Sequence, residues 1–343
     1  MAKLLKHTGY ERDVAFIPAY CQPAVLIDLA IARDVNTKHL FRSTRLSLDD
    51  LHSADTLVSS EQVETLIDNT RKLLDADDTS FLYGQQLLPG FYGACSHALQ
   101  QVRSARQAIE FLCEFHVFLT PLMTPRFYEN DEYGFLYWQT NSGSTQIETF
   151  LSEAYISATK SMIDWLSKQS LPWQFEFTHA EPEYIEQYWV NLGSDVLFEQ
   201  QMNVMKLPLS YLNKEWSAST SLGLHGATNA AYQQLRKLDE QASFLDHLYD
   251  YLRQHITEPI SLDSVSFAFG ISPASMKRKL KKHHTHFQQQ LDLVRKHTAI
   301  YLYQVKGFSN QDIAEYLCFS DMNNFRRAFK RWTGLSPNTL FAQ

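Results

Sequence analysis

The sequence predicts a helix-rich α+β domain followed by a smaller all-α domain built from a duplicated pair of short helices joined by a long linking helix. Three observations carry this expectation. A length of 343 residues suits two domains rather than one. Formal charge divides along the chain: residues 1–240 hold 18 Lys+Arg against 30 Asp+Glu, and residues 241–343 hold 13 against 8. The third observation is a residue pattern that occurs twice after residue 260, each time as an apolar short helix, a tight turn, a capping residue and a basic second helix.

The first half mixes two periodicities. Ser47-Leu48-Asp49-Asp50-Leu51 opens a polar stretch, and a helix is expected from Ser60, as its cap, through Leu74. Ser104 to Leu119 reads as one helix, with Ala108, Phe111, Leu112, Phe115 and Leu119 on a common face. Gly134-Phe135-Leu136-Tyr137-Trp138 is strand-like. Ile147 to Gln169 reads as a long helix and Trp173 to His179 as a strand. Val196-Leu197-Phe198 and Val204-Met205-Lys206-Leu207 are expected to pair as a hairpin. The aromatic runs Phe111–Leu122 and Phe135–Trp138 are expected in the core, with an apolar ligand pocket as the alternative. A linker is expected over residues 217–240, where Ser217 to Thr228 is small and polar, with a short helix at Tyr232 to Leu238. The domains are thus expected at 1–216 and 241–343.

In the second half, Ala242 to His255 is amphipathic through Phe244, Leu245, Leu248, Tyr249 and Leu252, and Glu258-Pro259 ends it. The first copy of the pattern runs from Ser261-Leu262 to Val265. Gly270 frees the turn, Ser272 caps the second helix, and Pro273 takes its first position. Met276 and Leu280 face the core, while Ala274, Lys277, Arg278 and Lys281 face away from it. Phe287 to Lys306 forms the linking helix, about 30 Å long at ~1.5 Å per residue. The second copy holds Ile313-Ala314, a turn at Leu317-Cys318-Phe319 and a cap at Ser320 or Asp321. Phe325, Phe329 and Trp332 then face inward, and Asn323, Arg326, Arg327 and Lys330 face outward, with Met322 at the margin.

A short helix, a turn and an exposed basic helix make a helix-turn-helix, whose second helix enters a DNA major groove. Two copies about 30 Å apart suit two successive grooves, which recur roughly every 34 Å on one DNA face. Asn bonds adenine and Arg bonds guanine in bidentate fashion, whereas Lys281, Lys282, Lys330 and Arg331 suit phosphates.

From residue 242 to 341, on the Ile313–Pro337 block above all, the chain resembles the DNA-binding domain of the AraC/XylS family of bacterial transcription regulators. The resemblance implies that Ala274, Lys277 and Arg278 in the first unit, and Met322, Asn323 and Arg327 in the second, reach bases. Two departures from that pattern stand out. Cys318 occupies a turn position where the family usually has glycine, and Ala274 occupies one where many members carry a large or basic residue. Phe81-Leu82-Tyr83-Gly84, Leu88-Pro89-Gly90-Phe91-Tyr92-Gly93 and Leu207-Pro208-Leu209 are similar to the arabinose-binding-type effector domain of one branch of that family. The resemblance implies a one-component regulator, usually an activator, with promoter DNA, RNA polymerase and a small effector as partners. An acidic domain rich in Phe, Tyr and Trp suits an apolar or amphipathic effector, or a cation held by carboxylates and ring faces, and relatives also answer to amino acids. A constitutive DNA binder whose first domain only dimerises or contacts protein is the alternative reading.

Other functions lack their residues. No run of 18 apolar residues crosses a membrane, and the N-terminus lacks a secretory pattern, so a cytoplasmic protein is expected. Cys21, Cys95, Cys113 and Cys318 form no CxxC pair, and none has the setting of an activated thiolate, so no enzyme, metal site or cofactor is expected. His283-His284-Thr285-His286 has no Cys or carboxylate at ligand spacing and is expected to be solvated near phosphates. Gly84, Gly90 and Gly93 precede no Lys-Ser/Thr and make turns rather than a phosphate loop.

Overall fold

Strand β1 (Ala15–Pro18) pairs antiparallel with β2 (Leu57–Ser59) in a small two-stranded sheet. The larger sheet holds β3 (Met123–Glu129), β4 (Tyr133–Thr140), β5 (Gln174–Glu176), β6 (Val196–Leu197) and β7 (Val204–Pro208), in the order β3-β4-β7-β5-β6. A computed structural model describes residues 9–216, 221–238 and 242–337 of this chain. It divides into two units, one of Arg12–Gln241 and one of Ala242–Gln343 together with the N-terminal residues up to Glu11. The larger unit is helix-rich α+β, and the smaller is helical.

In the larger unit β4 is buried along nearly its whole length, because it is paired on both sides by β3 and β7. Phe111, Phe115, Leu119, Phe135 and Trp138 are all core residues, and Trp138 stacks on Tyr155 with ring centroids 5.5 Å apart. Helix Glu148–Ser167 buries most of its circumference and packs against helix Thr79–Leu87. Gly84 permits that approach, since a Cβ there would stand 2.2 Å from the carbonyl oxygen of Ala154. The contact brings Ser80 onto Glu153, its Oγ donating to Oε2 at 2.5 Å.

Four local expectations change. Ser59, not Ser60, caps helix Ser60–Leu74, because the capping box needs Gln62 three residues on: Ser59 N donates to Gln62 Oε1 at 3.0 Å, and Gln62 N donates back to Ser59 Oγ at 3.3 Å. The helix expected over 104–119 breaks in two at Phe115 (φ −105°, ψ 23°), whose ring stacks on Phe111 at 4.2 Å. β6 and β7 do not form a hairpin. β6 runs parallel to β5 on one side and β7 antiparallel to it on the other, and between them Gln200 N donates to Phe177 O at 2.8 Å as the chain crosses β5. Within the stretch read as a linker lies helix Ser221–Leu235. Its Ala231 is buried, its Gln234 accepts from Ala94 N and donates to Tyr92 O, both at 3.2 Å, and its Tyr232 hydroxyl donates to Glu114 at 2.5 Å.

The smaller unit is one hydrophobic core that includes Leu248, Leu252, Val265, Met276, Val294 and Phe329. An unexpected strap joins it. Tyr10 N donates to Ala242 O at 3.1 Å, and Phe244 N donates to Tyr10 O at 2.8 Å. Glu11 pairs with Lys279 and, at 3.0 Å, with Lys282. No described helix is long and apolar enough to cross a membrane.

Candidate nucleic-acid interface

Each recognition helix is set by its caps and by a left-handed turn. In the first unit, helix Leu262–Ala268 is capped by Ser261, which accepts from Ser264 N at 3.1 Å. Gly270 takes φ +65° in the turn, a conformation glycine adopts without steric cost. Ser272 then accepts from Ser275 N at 3.1 Å, and Pro273 opens helix Pro273–Lys282. Met276 and Leu280 are buried, while Ala274, Lys277, Arg278 and Lys281 are exposed.

The second unit repeats the construction. Ser309 and Asp312 form a capping box for helix Asn310–Tyr316. Cys318 holds φ +56° at the place Gly270 holds in the first unit, so the turn keeps its geometry with a side chain under strain. Asp321 caps helix Met322–Thr333, accepting from Asn324 N at 2.7 Å. Phe325, Ala328 and Phe329 are buried, and Asn323, Arg327 and Lys330 are exposed along one stripe. Met322 and Trp332 are half-buried.

Several side chains depart from expectation. Arg326 lies one position off the stripe and is half-buried, close enough to Tyr303 for its charge to oppose the rise that burial gives that phenol. Lys282 is bound to Glu11, and Arg331 reaches Asp292 of the linking helix at 3.2 Å. Both were expected to meet phosphates, and each has an intramolecular carboxylate partner in the free protein. Of the three histidines expected to be solvated, His284 and His286 are exposed and His283 is not. His283 is buried with its ring 5.5 Å from that of Phe244, and His286 caps linking helix Phe287–Lys306 by accepting from Gln289 N at 3.2 Å. His284 occupies left-handed backbone at φ +53°. Among the described residues no three metal-ligating side chains cluster.

Asn324 is the residue that sequence reasoning passed over. Its Nδ2 donates to Ser320 Oγ at 2.6 Å and to Asp321 Oδ2 at 2.7 Å, while its Oδ1 accepts from Arg327. The guanidinium of Arg327 is thereby held from the cap of its own helix. The Asn three residues before an Arg was a visible signal.

Three of the four thiols are held protonated by their environment. Burial pushes Cys21, Cys95 and Cys113 each up to about 12, far from a reactive thiolate.

Two capped helix pairs, each presenting exposed cationic side chains, with a twenty-residue helix between them, define a DNA-binding regulator rather than an enzyme. Residues 35–215 match the family model described as the arabinose-binding domain of AraC transcription regulator, N-terminal, and residues 265–343 match a helix-turn-helix domain. The chain belongs to the AraC family of transcription regulators, with an N-terminal effector-binding domain and a C-terminal helix-turn-helix domain. It is 23% identical over 314 residues to the ornithine utilization regulator of Pseudomonas aeruginosa, covering 91% of this chain and 93% of that protein. It is 31% identical over 104 residues to the HTH-type transcriptional activator RhaS of Escherichia coli O157:H7, covering 30% of this chain and 37% of that one. Among solved structures it aligns with the transcriptional regulator CdpR from Pseudomonas aeruginosa at a TM-score of 0.45 and 15% identity, covering 94% of this chain and 98% of that one.

Proposed function

We propose that this regulator activates transcription when a small amine or amino acid occupies its N-terminal domain. The observation that carries the DNA half of the reading is the exposed stripe Asn323, Arg327 and Lys330 beside the exposed Ala274, Lys277, Arg278 and Lys281 of the first recognition helix. Asn323 and Arg327, with Lys277 and Arg278, read base edges, with Ala274 and Met322 making apolar contacts, while Lys281 and Lys330 meet phosphates. Arg326 serves from the flank of the same helix. Supporting the effector half is the near full-length likeness to a protein named for ornithine utilization. Support for activation comes from the likeness of the C-terminal part to a protein named as an activator. Activation implies contact with RNA polymerase, action in the cytoplasm where the chromosome lies, and pairing of two copies on DNA.

The test is footprinting on the protein's own upstream region, with Arg327→Ala and Lys330→Ala beside the wild type. Arg327→Ala is expected to cost about 1–3 kcal/mol at the specific site and to relax preference at one position. Lys330→Ala is expected to weaken binding to all sequences and to reduce the salt slope by about one. Unchanged site affinity in Arg327→Ala would remove this helix from base reading.

A further inference from the structure

The larger unit contains a buried carboxylate that makes no ion pair with a described Lys or Arg, beside an open polar cavity. Glu153 is 3% exposed. Ser80 donates to its Oε2 at 2.5 Å, and the hydroxyls of Tyr184, at 3.0 Å, and of Tyr188 donate to its Oε1. Tyr188 also meets His179 Nε2 at 3.0 Å. All three donors are uncharged, and among the described residues no Lys or Arg forms an ion pair with Glu153. Contrast Glu64, the other buried Glu among the described residues, which has Arg12 at 2.7 Å.

A cavity of about 330 Å³ opens against this carboxylate, with Ser80, Phe150 and Tyr184 in the same wall. Its lining also includes the exposed Arg71 and Asp77. The Arg71 guanidinium donates to Gln146 O at 3.1 Å and, among the described residues, pairs with no carboxylate. Burial makes ionisation of such a carboxyl costly unless a counter-charge reaches it. Here a cation can arrive from solvent through the cavity and favour the ionised form, and the aromatic side chains Phe150 and Tyr184 in the lining suit a cation as well. At the mouth, Arg71 offers a complementary site for an anion.

We infer that this cavity is the effector site of the larger unit and takes a small molecule with a primary ammonium, held by Glu153 and Ser80, whose carboxylate, where it has one, meets Arg71. The inference rests on the reading of the chain as an effector-responsive regulator and gives that effector a place and a chemical class.

The experiment is calorimetric titration of the full-length protein with putrescine, L-ornithine, L-lysine and, as the anion without an amine, pentanoate. Saturable binding is expected for the amine carriers and none for pentanoate. Glu153→Gln is expected to weaken every amine at least about tenfold. Arg71→Ala, a surface change, is expected to weaken ornithine and lysine and to leave putrescine unchanged, which keeps the test sharp if Glu153→Gln folds poorly. Absence of saturable heat with all three amines overturns the inference, as does unaltered affinity in both variants. Footprinting of the wild type separates the two readings: DNA binding without amine binding sinks the site alone, and amine binding without DNA binding sinks the regulatory reading alone.

Discussion

Glu153 is held by hydroxyl donors in a place where burial dominates its ionisation. Burial pushes its carboxyl above the usual range, and the hydrogen bonds from Ser80, Tyr188 and Tyr184, with the charge of His179, only partly oppose the rise. The folded state therefore holds this proton more tightly than the unfolded chain does. Stability contributed by the group falls as pH rises through the raised value. Comparing denaturation midpoints at about pH 5 and about pH 8, Glu153→Gln is expected to gain on the wild type at the higher pH. A constant difference between the two proteins at both values would mean that the carboxylate does not titrate in this window. Glu11 has the opposite sign. Burial raises its carboxyl, but the hydrogen bonds and charges of Lys279 and Lys282 outweigh that and leave it below the usual range. Glu11→Gln is expected to cost about 1 kcal/mol at neutral pH, a loss that fades as pH falls through that lowered value.

Among the elements, two positions show how a single side chain sets a junction. Gly84 lets helix Thr79–Leu87 touch helix Glu148–Ser167, with the Ala154 backbone in the way of any Cβ. Gly84→Ala is expected to cost about 1–3 kcal/mol or more, read as a lowered urea midpoint, and to part Ser80 from Glu153. Gly270 and Cys318 occupy equivalent turns at φ +65° and +56°. Cys318→Gly is expected to raise thermal stability by up to about 1 kcal/mol, since relief of strain exceeds the added chain entropy, and Gly270→Ala to lower it by about that much. The helical elements of the smaller unit were legible because local chemistry specifies them: Ser261, Ser272, Ser309 and Asp321 each cap a helix within three residues of their own position. The β5–β6–β7 arrangement was not legible. Its partners are chosen by a chain crossing that leaves no periodicity, and two apolar runs a few residues apart look the same whether they pair with each other or with opposite sides of a third strand.

For the whole molecule, charge and site lie in different units. The recognition helices sit in the part with a cationic excess, and the Glu153 cavity sits in the part with an acidic one. The exposed stripe Asn323, Arg327 and Lys330 was readable from helical spacing alone, whereas the half-burial of Arg326 was not, since its neighbour Tyr303 comes from the linking helix. Nothing in the sequence marks Glu153, because Ser80, Tyr184 and Tyr188 lie 73, 31 and 35 residues from it. Nor does anything mark the strap, whose Glu11–Lys279 bond spans 268 residues. Tyr10→Ala is expected to destabilise the smaller unit by about 2–4 kcal/mol, seen as faster hydrogen exchange at buried Val294 and Phe329 while the β4 amides keep their protection.

The strap also orders events at the ribosome. Residues 9–11 leave the exit tunnel more than two hundred residues before the Phe244 backbone and the lysines they bind. The opening segment must therefore wait, unplaced, through synthesis of the whole intervening unit, and its docking is a late, long-range step. A bulky fusion ahead of it would burden the domain farthest away in sequence.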